Sequence, residues 1–150
     1  MTPKTLILWL HVVCGTGWVG ACLTFLLGSS ALAGQPVELR AFVGRVAPRI
    51  NRIGRLCAVL IPLTGLANLA FAASNRGFKL PAEFLAIVVT KIAMFGLMTW
   101  MLLRATTIVA LRAQVETSDG NQSRRLAHCY GAIVGCGATA LLLGLWLSGL

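Results

Sequence analysis

Residues 6–27 read LILWLHVVCGTGWVGACLTFLL and pass without one formal charge. As a helix rising about 1.5 Å per residue, a run of that length crosses a hydrocarbon core of roughly 30 Å, so it reads as a membrane span. Lipid contact alone does not call for the histidine, two cysteines, two tryptophans and three glycines inside it. His11, Cys14, Gly15, Trp18 and Cys22 fall at i, i+3, i+4, i+7 and i+11, on one helical face, and that face is expected to look into the protein. Lys4, the apolar run and Ala31-Leu32-Ala33 before Gly34 also resemble a secretory signal peptide. The hydrophobic region of such a peptide is usually only about 7 to 15 residues, so the stretch is expected to be a retained helix.

The whole chain shares this character. Of its 150 residues, 57% are hydrophobic and only 11% charged, with a mean hydropathy of +0.83, which excludes an ordinary soluble domain and predicts an all-α integral membrane protein. The net charge of +9 comes from arginines that flank apolar runs, a distribution that suits anionic lipid headgroups and not nucleic acid. Five cysteines cannot all pair, and Cys14, Cys22, Cys57 and Cys136 lie within predicted spans, so a disulfide framework is not expected.

Four spans are predicted, at about residues 5–28, 53–73, 82–104 and 126–148, forming a single four-helix transmembrane bundle. Between the first two, residues 36–52 set Leu39, Phe42, Val43, Val46 and Ile50 on one stripe and Arg40, Arg45, Arg49 and Arg52 mostly off it. That pattern predicts a basic amphipathic segment in the headgroup plane, with Pro48 interrupting it. Pro62 should kink the second span and free a carbonyl. Asn75-Arg76-Gly77 opens a connection ending at Pro81, residues 117–123 (TSDGNQS) read as a loop, and Gly131-xxx-Gly135 together with Gly137 and Gly144 in the fourth span permits close helix approach. The arginines gather in the first and third connections, at Arg40, Arg45, Arg49, Arg52 and Arg55 and at Arg104, Arg112, Arg124 and Arg125. The other side carries only Lys4, Arg76 and Lys79. Both termini are therefore expected to be extracytoplasmic.

Within this frame Lys91 is the most informative residue, because an ammonium near mid-span costs at least about 2.5 to 3.5 kcal/mol and needs a partner or a neutral state. Counting from the helix starts places Lys91 about 14 Å and His11 about 9 Å from the outer face, a depth at which they could meet. The first and third helices would then form a polar seam of His11, Cys14, Trp18, Lys91 and Met94. His11 and Cys14 with Met94 and Met98 supply the imidazole, thiolate and thioether atoms that suit Cu(I). His11 alone would suffice as an axial haem ligand. His128 starts the fourth span on the opposite side, roughly 18 Å from His11 along the membrane normal, so the two cannot clamp one haem. No Walker loop, CxxC pair, HExxH motif or deep carboxylate points to other chemistry.

Leu10-His11 followed by Gly17-Trp18-Val19-Gly20, Arg55 with Leu63-Thr64-Gly65, Lys91 within VVTKIAMFGLM, and Arg124-Arg125-Leu126 opening the last helix occur in that order over nearly the whole chain. This arrangement resembles the copper resistance protein D (CopD-type) membrane family and its relatives, the HemJ-type protoporphyrinogen oxidases. The first likeness implies copper uptake or tolerance in a bacterial inner membrane. The second implies haem b, with His11 and Lys91 as the functional pair, although this chain has Ala21 to Leu26 where those relatives carry a tyrosine-leucine-proline-arginine run. Three functions are thereby framed: Cu(I) binding or passage, a haem-binding redox protein, and a small structural subunit that docks a partner or a second copy through Gly131 and Gly135.

Overall fold

The computed structural model describes residues 2–75, 77, 81–114 and 120–148, without the side chains of residues 112–121, 147 and 148. Arg76, Lys79 and the part of the expected loop at residues 117–119 lie outside the described residues. Among those described are four helices, α1 (Pro3–Ala31), α2 (Pro36–Asn75), α3 (Ala82–Gln114) and α4 (Gly120–Ser148). Each contains a stretch long and apolar enough to cross a membrane.

Local chemistry explains the boundaries. Thr2 caps α1, its hydroxyl accepting the Thr5 N–H at 3.4 Å, and Pro3 occupies the first helical position, where a missing N–H costs nothing. A tight turn follows α1, with the Gln35 N–H donating to the Leu32 carbonyl at 2.9 Å, and Pro36 opens α2. Gly77 beyond α2 adopts φ +56°, the left-handed backbone that favours glycine, and its N–H donates to the Ser74 carbonyl. Helix α4 begins at Gly120, so residues 120–123, expected in a loop, are helical.

The 40-residue α2 runs unbroken through Pro48 and Pro62. Residues 36–52 are therefore its first part, and their apolar stripe faces protein. Val43, Ala47 and Ile50 are buried, Phe42 packs on Phe25 and closes over Gly28, and the arginines 40, 45, 49 and 52 stay on the exposed side. Burying that stripe against α1 removes the reason for it to lie flat on a lipid surface.

Helix α1 packs on α2 and α4, and α3 packs on α4 and more thinly on α2, all antiparallel neighbours. Helices α1 and α3 therefore stand diagonally. They meet through core side chains, Trp18 edge-on to Phe95 at 6.4 Å, and not along a shared seam. Antiparallel order puts Pro3 and Ser148 at the same end. The closest helix approaches fall where a glycine faces a large side chain: Gly54 under Trp18 and Leu102, and Gly137 against Val19 and Met98. Gly131 and Gly135 face open space, so the tight packing of α4 uses Gly137 and Gly144 instead.

Candidate functional site

The register of the helices follows from their contacts. Trp18 lies against Gly54, and toward the end bearing the termini the next contacts are Cys14 with Cys57 and His11 with Thr64 and Gly65. On the facing helices Met98 lies beside Gly137, and one heptad along, Lys91 lies beside Gly144. His11, Thr64, Lys91 and Gly144 thus form a polar group near one level of the bundle.

His11 Nδ1 is 2.8 Å from Thr64 Oγ1. The Thr64 hydroxyl has a single proton, and at 2.7 Å from the Leu60 carbonyl that proton is engaged in the usual back-bond of a helical threonine. Thr64 consequently accepts from His11. The Ile61 carbonyl, which can only accept, lies near the ring. This hydrogen-bond network assigns the proton to Nδ1 and leaves Nε2 with its lone pair. A side chain at residue 65 would crowd the imidazole, since a Cβ there would sit 3.3 Å from His11 Cε1. Gly65 is the reason the ring can lie flat against α2.

Lys91 is half-buried, and its Nζ rests over Gly144, 2.9 Å from where a Cβ would be. No hydrogen bond or ion pair reaches the ammonium among the described residues. His11 and Lys91 are close enough for the lysine charge to act on the imidazole, but each is held by a different neighbour, His11 by α2 and Lys91 by α4.

One turn toward the other end, the Cys14 and Cys57 thiols are buried neighbours across α1 and α2, and Cys22 is buried in the same core. All three are buried free cysteines. Cys14 and Cys22 lie one turn either side of Trp18, whose buried Nε1–H has no hydrogen-bond partner among the described residues. Among the expected copper ligands, the structure sets Cys14 against Cys57 and buries Met98 in the core beside Gly137. Met94 is half-buried one turn from Lys91. Among the described residues no three His, Cys, Asp or Glu side chains converge as a closed metal site. His128 stands at the far end: Gly144, level with Lys91, is sixteen residues away on α4, about 24 Å of helix.

Sequence reasoning missed Cys57, Thr64 and Gly144 as partners. Thr64-Gly65 stood out as a dipeptide, but nothing in a single sequence says which helix it faces. Also missed was a second buried polar contact, in which Tyr130 donates to Asn51 Oδ1 at 2.9 Å while Asn51 Nδ2 stays unpartnered. Among family models, curated proteins and solved structures, none matches this chain.

Proposed function

We propose that the chain is a multi-pass protein of a bacterial cytoplasmic membrane that binds Cu(I) or passes it across the bilayer. The observation that carries this reading is the buried Cys14–Cys57 thiol pair between α1 and α2. Cu(I) is selected by thiolate and thioether atoms and asks only that two or three soft atoms converge. His11 lies one turn from Cys14 toward the termini, and the Met98 and Met94 thioethers stand on the facing helix, so the same core offers weaker sites on either side of the pair. The arginine-rich connections support termini outside, and in that topology His11 lies on the extracytoplasmic approach to the thiols. The resemblance to the CopD-type family points the same way.

The test is copper stoichiometry and affinity, read by elemental analysis and by competition with a chromophoric Cu(I) chelator under reducing conditions. One equivalent of Cu(I) is expected, lost in Cys14→Ser and in Cys57→Ser and weakened by Met94→Leu with Met98→Leu. Full binding by the double serine variant would overturn the reading.

A second reading is favoured by the His11–Thr64 bond. An imidazole with Nδ1–H anchored and Nε2 unprotonated has the donor set of an axial haem ligand, and a haem b would supply one-electron chemistry there. Lys91 would offer its ammonium to an anionic group of that cofactor. In that case a Soret band survives Cys57→Ser and disappears in His11→Ala.

A further inference from the structure

At the end of the bundle opposite the termini, α3 and α4 part around an open cleft. Trp100, Arg104 and Thr107 of α3 form one wall, and Arg125, His128 and Cys129 of α4 form the other. We infer that this cleft is a binding site for an anionic glycerophospholipid, its phosphodiester held between Arg104 and Arg125 and its acyl chains lying along α3 past Trp100 and Leu103. The inference rests on the chain spanning a membrane and is independent of what binds at the level of His11.

Three features of the cleft select this ligand. Among the described residues its lining carries two guanidinium groups and an imidazole and no carboxylate, so these walls attract an anion. The Arg104 guanidinium lies over the Trp100 ring, 4.3 Å from the centroid, which fixes its plane and leaves its edge N–H groups to form paired bonds with phosphate oxygens. The remainder is apolar and open sideways: Leu103 is 58% and Trp100 48% exposed, and Met101 and Ile108 complete the surface. A soluble phosphate compound has no use for that apolar flank, whereas a lipid uses both parts. Tryptophan also favours the headgroup level, and basic clefts between spanning helices on the cytoplasmic side suit acidic headgroups.

Native mass spectrometry of the full chain in neutral detergent, titrated separately with phosphatidylglycerol, phosphatidylcholine and inorganic phosphate, tests the site. Each cation near an acidic headgroup is worth about a fivefold gain in binding, so Arg104→Gln with Arg125→Gln should weaken phosphatidylglycerol binding about thirtyfold, to the level of phosphatidylcholine. Arg45→Gln with Arg49→Gln, which removes two exposed arginines outside the cleft, should leave it unchanged, and circular dichroism should show every variant helical. Arg104→Lys with Arg125→Lys keeps the charge, loses the fork geometry and should fall between. Equal phosphatidylglycerol binding by the double glutamine variant overturns the site. So does an equal loss in the Arg45, Arg49 control, which would make the preference a general surface charge. Phosphate binding as tight as lipid binding would make it a site for a free anion. Copper or haem content is measured on the same samples, so failure here is distinguishable from failure of the proposed function.

Discussion

Replacing Thr64 with valine is the most direct perturbation of the polar level, because it keeps the shape of the side chain and removes the acceptor of His11 Nδ1–H. The Leu60 carbonyl retains the backbone N–H of residue 64, so the loss concentrates on the imidazole. Leaving a buried donor unpaired costs about 1 to 3 kcal/mol. The Ile61 carbonyl remains as a second acceptor, and side-chain hydrogen bonds between membrane helices average about 0.6 kcal/mol with a maximum near 1.7, so about 1 kcal/mol is expected here. The imidazole lies flat in the space that Gly65 leaves on α2, which keeps it beside residue 64. The assay is a double-mutant cycle of Thr64→Val and His11→Leu by equilibrium unfolding in mixed micelles, with a coupling of about 1 kcal/mol expected. Nitrogen-15 NMR of the imidazole adds a readout of the tautomer: Nδ1 protonated and Nε2 bare in the native chain. Additivity of the two substitutions to within about 0.3 kcal/mol, or a proton found on Nε2, would refute the assignment.

Other substitutions probe the remaining contacts. Gly144→Ala should push the Lys91 ammonium from its seat, because the new methyl carbon would come 2.9 Å from Nζ; a changed reactivity of Lys91 toward an amine reagent is the expected sign, and unchanged reactivity counts against the contact. Tyr130→Phe strips the Asn51 carboxamide of its one side-chain partner and should destabilise by about 1 to 2 kcal/mol, whereas adding Asn51→Leu should restore part of that loss in the same unfolding assay. Cysteines introduced at Gly77 and Gly120 report topology: an impermeant thiol reagent added from outside should label the first and miss the second, and the reverse would invert the placement of His11.

The four helices were legible because 3.6-residue periodicity and uncharged length are local properties of the chain. What lies between helices was not. The face bearing His11, Cys14, Trp18 and Cys22 was readable from spacing, and Cys14, Trp18 and Cys22 are indeed buried. The partner of each depended on the rotation of α2 and α4, which periodicity leaves open. Residues 36–52 show a related limit. A basic amphipathic stripe is equally satisfied by lipid or by a neighbouring helix, and here Phe42 meets Phe25 over Gly28. The glycines of α4 show the same limit: of the four that the spacing offers for close approach, Gly137 and Gly144 make the contacts and Gly131 and Gly135 face open space.

The packing register also distinguishes the two polar groups of the core by depth. Phe25 meets Tyr130 edge-on at 4.6 Å, Tyr130 bonds Asn51, and Arg104 shares a cleft with Cys129, the residue before Tyr130. Two arginines, Arg52 beside Asn51 and Arg104 in the cleft, therefore mark a belt near the level of Phe25. From Phe25 back to Pro3 is twenty-two residues of α1, about 33 Å, close to the hydrocarbon thickness of roughly 30 Å. Arg55 stands about one turn inside that belt on an exposed face, from which a long guanidinium side chain reaches back to the headgroups. Asn51 and Tyr130 consequently lie at the arginine-flanked end of an apolar length that matches a bilayer core. Lys91 does not: it lies nine residues, about 14 Å, inside the start of α3 and thirteen residues, about 20 Å, from Arg104. With His11 and Thr64 beside it, this is the level at which a membrane boundary explains nothing, and an ionisable group held there at such cost is the physical argument for a ligand or a proton passing by.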